Sequence, residues 1–336
     1  MENQEDLHLQ NEENIENGEE NEFQIEKDGE LYTIDINNEK NHVIFGGMND
    51  LAEIYDYKED LTVTRIEDFS DSVIYTKFIG KDRFIIVTAN GTIALMEYEK
   101  DICIIDIEED ISIAKFTNKL VIGTMSGQVY LYDENLEHIN TFGGHYTEIL
   151  AIDFQEGRIL SLCENFLTAH DEQGRCLYSL KATEATAFKY ISSDVICFAR
   201  DKKVQIFKEN KKLFEIKTEE SVETIEYLEK SLVIGGYFDY IQLIDTTGHF
   251  ATFNLKVNTC VSLIKKYKDF QIIFATLDGL IGKMDIRNIK SLEFFSPEVG
   301  TIFDFAIGLD KVAVVGEGGY NMIDLLNTAP LDLTEN

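Results

Sequence analysis

The chain has 336 residues, 44% of them apolar, with 22 Phe and 15 Tyr, 2 Pro, no Trp and a formal net charge of −32. That apolar share can build a sizeable core, while the charge disfavours nucleic acid and anionic membranes as partners, because phosphate repels such a surface. The 5 cysteines, Cys103, Cys163, Cys176, Cys197 and Cys260, are odd in number and lack any CxxC spacing, which argues against a disulfide framework or a zinc site and for reduced thiols buried in strands.

The first 30 residues hold 12 Asp or Glu against a single Lys27. Residues 1–22 offer too few apolar side chains to offset the entropy of ordering and are read as a disordered acidic tail. The N-terminus shows no apolar segment of signal-peptide or membrane-spanning length, which points to the cytoplasm, and also the nucleus. FQIEK (Phe23–Lys27) reads as a spare strand. LYTIDIN, HVIFGG, LAEIYDY and LTVTRIE then follow as four short strands, SVIYTKF, RFIIVTA, TIALMEY and ICIIDIE as four more, and ISIAKFT, LVIGTM, QVYLYD and HINTF as a third set. Five further first strands begin near Glu148, Thr186, Ser221, Thr259 and Gly300.

One phrase recurs through the chain: an apolar run, a turn marked by Gly or Asp, and a second short apolar strand. It reads VIFGGMNDLAEIYDY (Val43–Tyr57), FIIVTANGTIALMEY (Phe84–Tyr98), LVIGTMSGQVYLYD (Leu120–Asp133), ILSLCENFLTAHD (Ile159–Asp171), VICFARDKKVQIFK (Val195–Lys208), LVIGGYFDYIQLID (Leu232–Asp245), IIFATLDGLIGKMD (Ile272–Asp285) and VAVVGEGGYNMIDL (Val312–Leu325). A strand-only unit repeating every ~40 residues is the mark of a β-propeller. The prediction is an all-β ring of eight four-stranded blades over residues 23–328, with a short C-terminal tail at 329–336; seven blades with one irregular insertion is the rival count. The last blade lacks an outer strand, and the spare N-terminal strand is expected to supply it and cover the open edge.

No GxSxG, HExxH, P-loop or GxGxxG occurs, and the six histidines, His8, His42, His138, His145, His170 and His249, show no metal-ligand spacing. No catalytic residue, metal or cofactor is expected, and the protein is read as a non-enzyme. Gly144-His145 and Tyr132-Asp133 stand where WD-repeat propellers carry Gly-His and Trp-Asp, and with Thr124 they are expected to form a structural hydrogen-bonded set within one blade. His170-Asp171 reads as a strand end and its turn.

Sorting charges by loop gives the sharper signal. Naming the strands of each blade a to d from the axis outward, the d–a and b–c connections emerge at one end of the ring. The d–a loops contribute Glu67, Asp68, Asp71, Glu108, Glu109, Asp110, Glu148, Glu184, Glu219 and Glu220, and none contains Lys or Arg. The b–c turns add Asp50, Glu164, Asp239, Asp278 and Glu317, with bases only at Arg200, Lys202 and Lys203. Phe69, Tyr146, Phe166, Tyr237 and Phe238 fall at the same end. The opposite loops collect Lys40, Lys58, Lys81, Lys100, Lys119, Lys208, Lys211, Lys212, Lys230, Lys268, Arg287 and Lys290. Carboxylates beside exposed aromatics suit a basic peptide, through charge and cation–π contact.

GGMNDLAEIYDY (Gly46–Tyr57) resembles the Gly-Gly-x-Asp-x-Ala/His-x-Leu-Trp phrase of the angio-associated migratory cell protein family, with Tyr55 in place of the Trp. SVIYTKFIGKDRFIIVTANGTIALMEY (Ser72–Tyr98) is similar to that family's next blade, and LVIGTMSGQVYLYD (Leu120–Asp133) to the turn that follows. The resemblance covers roughly residues 40–170. It implies a WD40-like propeller preceded by an acidic tail. It also implies a role like that of the family's fungal members, dedicated chaperones that capture the basic N-terminal segment of a large-subunit ribosomal protein of the L-ten-e type on the acidic face. The protein is therefore expected to be a monomeric escort of a basic ribosomal protein; a scaffold subunit of a translation-initiation or RNA-processing complex is the alternative.

Overall fold

The computed structural model describes residues 29–331 except 68, 99, 248 and 249. The tail, the Phe23–Lys27 strand expected to complete the last blade, Asp28 and Asp68 lie outside the described residues. Thirty-one strands and no helix are present among those that are described. They form eight antiparallel sheets, seven of four strands and one of three, each a meander in chain order. Eight is therefore the blade count, and the eighth blade holds Ile302–Ile307, Lys311–Gly316 and Gly319–Asp324.

Burial follows the distance from the axis. Strand b of each blade is sandwiched between neighbouring sheets and reads as a continuous apolar run; Phe84, Ile85, Ile86 and Val87 are all fully buried. Outer strands such as Lys100–Asp106 and Lys211–Lys217 alternate between exposed and half-buried, as sheet edges in water do. Of the five free cysteines Cys163 and Cys197 are buried, whereas Cys176 lies exposed on an outer strand. Each blade interface is its own core; for instance Ile44, Ile54, Val73, Phe78, Phe84 and Met96 pack together between blades one and two. Burying such a side chain contributes ~1.5–3 kcal/mol.

The ring closes between blades eight and one. Leu31, Ile34, Val43, Phe45 and Tyr55 share a core with Ala306, Ala313 and Val315. Tyr32 meets Phe303 edge to face at 5.8 Å. The Leu309 amide donates to Asn38 Oδ1 at 3.0 Å.

The Asp that ends strand c has a local purpose. Asp133 accepts the Asn135 and Glu137 amides, Asp171 those of Gln173 and Arg175, and Asp324 those of Leu326 and Asn327. Each is an Asx turn that reverses the chain after strand c. His170-Asp171 is the strand end and turn expected of it.

Candidate protein-binding site

His145 is buried in the loop entering blade four, and its Nε2 lies 2.8 Å from Ser161 Oγ in strand b of that blade. The expected partner Thr124 belongs to the preceding blade and instead meets Ser126 Oγ at 2.9 Å. The set is thus His145–Ser161, because the His145 ring reaches strand b of the blade its loop enters. Burial, with His170 nearby, pushes the His145 imidazole down to about 4, so the ring is neutral. It is a structural residue.

The d–a loops lie across the b–c turns at one end of the ring. Val257 and Asn258 amides both donate to Asp239 O at 2.9 Å, and Ala182 donates to Asn165 O at 2.9 Å. Two turn glycines permit this approach. A Cβ at Gly127 would sit 2.7 Å from His145 O, and one at Gly91 2.8 Å from Glu109 O; both have positive φ, +89° and +103°. Glu108 and Glu184 take left-handed backbone themselves, at φ 54° and 60°.

On this end, Asp50, Glu108, Asp110, Glu148, Glu164, Glu184 and Glu219 have no cation within ion-pair distance among the described residues. Other expected carboxylates are engaged. Glu109 accepts from Ser126 and, at 2.8 Å, from Tyr130 OH. Burial pushes its carboxyl upward, but those hydrogen bonds outweigh it and hold the group below the usual range. Glu67 lies 3.5 Å from Arg65, Glu220 2.6 Å from Lys202 and Asp239 3.7 Å from Lys256. Asp71 caps the Ser72 amide at 2.7 Å, Asp278 accepts from Thr259 at 2.7 Å, and Glu317 lies 3.3 Å from the Thr301 amide.

Arg65 and Lys256 are cations that a reading of loops misses: they end d strands and reach this end from the outer rim. At the opposite end five of the twelve named bases, Lys40, Lys119, Lys208, Lys212 and Arg287, meet an acid among the described residues, as in Lys40–Asp82 at 2.7 Å, Lys119–Glu172 at 2.6 Å and Arg287–Asp285 at 2.6 Å.

The aromatics divide. Tyr146 is 98% exposed, Tyr237 51% and Phe166 46%. Phe69 is half-buried against the core between blades one and two. Phe238 departs from the expectation of an exposed contact: it is 4% exposed and stacks on Tyr240 at 4.5 Å, because the turn that presents Tyr237 folds its successor inward. Met48, Met125 and Leu277 occupy the position of Tyr237 in their own blades, directly after strand b, and are 58%, 50% and 40% exposed. The signal was present in the repeat phrase: these are apolar residues at a turn position where water-facing side chains are the rule.

Among the described residues no group of three His, Cys, Asp or Glu side chains is arranged to hold a metal. A closed ring of eight antiparallel blades, presenting loops from every blade at one end, defines a WD-type β-propeller. The chain belongs to the WD40-like domain family, whose model matches residues 29–323. No curated protein matches it in sequence. Among solved structures it is similar to Sqt1 of Saccharomyces cerevisiae, at 14% identity and a TM-score of 0.76 over 88% of this chain and 96% of that one. It is similar too to Chaetomium thermophilum Sqt1 bound to the N-terminus of the ribosomal protein L10, at 14% identity and a TM-score of 0.77 over 88% and 97%. A computationally designed protein, Ika8, matches at 15% identity and a TM-score of 0.76 over 88% and 96%. At such identities the likeness is one of fold.

Proposed function

We propose that this protein is a non-enzymatic escort that holds the basic N-terminal segment of a large-subunit ribosomal protein, of the L10 kind, on the end of the ring formed by its d–a and b–c loops. The observation that carries the reading is the run of cation-free carboxylates from Asp50 through Glu219 beside exposed Tyr146, Phe166 and Tyr237. Unpaired acids steer a Lys/Arg-rich strand, and the aromatic and Met side chains give it apolar and cation–π contacts. Such a segment, left free, would bind RNA indiscriminately, and masking it until delivery is a task for which the ring needs no catalytic group. The complex of a similarly folded Sqt1 with the L10 N-terminus supports the choice of partner. The reading carries with it a cytoplasmic, and also nuclear, location.

The test is affinity capture at low salt with identification of the bound protein, followed by calorimetric titration with a synthetic L10 N-terminal peptide. One stoichiometric basic ribosomal protein and a one-to-one isotherm support the escort. A stable multi-subunit assembly with no peptide binding would make the protein a scaffold instead.

A further inference from the structure

Each blade carries the same irregularity. In strand a of blade one the pairing with strand b jumps from Leu31 to Thr33, in blade two from Val73 to Tyr75, in blade four from Ile149 to Ala151 and in blade six from Val222 to Thr224. The second residue of the strand is bulged out of the ladder and its side chain re-aimed. It turns to the axis and the next blade: Ser112 donates to Ile149 O at 2.7 Å, Thr186 bonds Val222 O, and Tyr32 meets Phe303. Of the eight bulge residues (Tyr32, Ile74, Ser112, Leu150, Thr186, Glu223, Ser262 and Phe303) only Glu223 is charged.

Glu223 lies on the wall of an axial cavity of about 280 Å³, together with Thr186, Lys115, Asp153, Lys189 and Glu226. Deeper in that cavity the charges are already matched, Lys115 with Asp153 at 2.6 Å and Lys189 with Glu226 at 2.9 Å. Glu223 has neither an ion pair nor a hydrogen bond among the described residues, and burial raises its carboxyl above the ordinary range. A half-buried carboxylate with no partner leaves the site one positive charge short. We propose that the mouth of the axial channel is a subsite for a single primary ammonium or guanidinium group of the bound partner, with Glu223 as its counter-ion. The volume is at or below the low end of ligand sites, about 300–1,000 Å³, and takes one side chain rather than a folded segment. The carboxylates beneath, Asp153 and Glu226, are already taken by Lys115 and Lys189, so only Glu223 is left for a cation and occupancy stops at one.

The inference rests on the proposed binding of a basic segment, and two kinds of probe separate them. n-Butylammonium and n-butylguanidinium, titrated into the full chain by NMR, are expected to shift the Glu223 and Thr224 amides saturably, and the shifts are expected to vanish in Glu223→Gln; whichever cation saturates lower names the group. With the L10 peptide, Glu223→Gln is expected to weaken binding about thirtyfold or more, against at most about fivefold for the exposed Glu219→Gln. Melting should be unchanged or raised by Glu223→Gln, since the fold loses no contact. Equal losses from the two variants, shifts no larger than sodium chloride produces, or a lowered melting temperature would overturn the subsite. Small-cation binding at Glu223 without peptide binding would keep the subsite and remove the escort reading.

Discussion

Phe45 in strand b of blade one stacks on Tyr320 in strand c of blade eight, ring centroids 5.0 Å apart and planes 15° from parallel. Tyr55 meets the same ring edge to face at 6.0 Å. The seam that turns a row of blades into a ring is therefore an aromatic cluster, joined by residues from the two ends of the fold.

The Tyr320 hydroxyl is buried there without a hydrogen-bond partner among the described residues. Tyr320→Phe removes an unsatisfied polar atom and keeps the stack, so it is expected to be neutral or to stabilise by about 1 kcal/mol. Tyr320→Ala opens the seam and should cost about 3–5 kcal/mol. Urea denaturation of both variants checks the pair; a Phe variant as damaged as the Ala one would mean the hydroxyl has a partner.

A second relation runs around the channel. The fifth position of strand a carries Asp35, Lys77, Lys115, Asp153, Lys189, Glu226 and Lys265 in successive blades. Lys77 meets Asp35 at 2.7 Å across one blade interface, and Lys265 meets Asp304 of blade eight, two residues earlier in its strand, at 2.5 Å. Each bridge ties two blades through strands that share no hydrogen-bonded ladder. Lys189→Met would leave Glu226 uncompensated and is expected to destabilise by about 3 kcal/mol or more, while adding Glu226→Leu should recover most of that loss. A double variant no better than the single one would show that Glu226 does not need Lys189.

His145 makes folding sensitive to acid. The unfolded chain takes up the imidazole proton near pH 6.5, whereas the folded one does so only at about 4. Protons therefore favour the unfolded state: stability is whole above pH 6.5, falls as pH drops, and levels off below about 4. The loss from this group is at most about 3 kcal/mol. His145→Gln retains a donor within reach of Ser161 and does not titrate, so the gap between wild type and variant in urea midpoint should narrow or reverse between pH 7 and pH 4. A gap constant with pH would remove His145 from the account.

For the proposed binding end, Glu108→Lys, Asp110→Lys and Glu148→Lys together change the local charge by six. Glu109 is left in place because Ser126 and Tyr130 depend on it. The triple reversal is expected to weaken L10 peptide binding far more than three reversals on a–b loops, and wild-type affinity should fall steeply with salt, since charges beyond about 8 Å are screened at physiological ionic strength. Affinity and salt slope both unmoved by the reversal would show that these carboxylates are only solvated.

Strand periodicity and turn chemistry act over a few residues, so the blade count, the all-β class and the strand end and turn at His170-Asp171 were legible in the chain itself. The same holds for the acids of the d–a loops, because loop sequence decides which end of a meander a residue occupies. The pairings were not legible. Lys115 finds Asp153 and Phe45 finds Tyr320 only because sheet twist brings successive blades around an axis, and nothing local encodes that distance. Nor does period two reveal the bulge that aims Glu223 inward, the fold of the turn that buries Phe238 beside exposed Tyr237, or the reach of Arg65 and Lys256 from the rim. Sequence by itself determined which residues are strand, turn and loop, since those are settled by nearest neighbours. Tertiary structure alone decided which charges are cancelled and which stay free, because an ion pair depends on distances that exist only once the ring has closed.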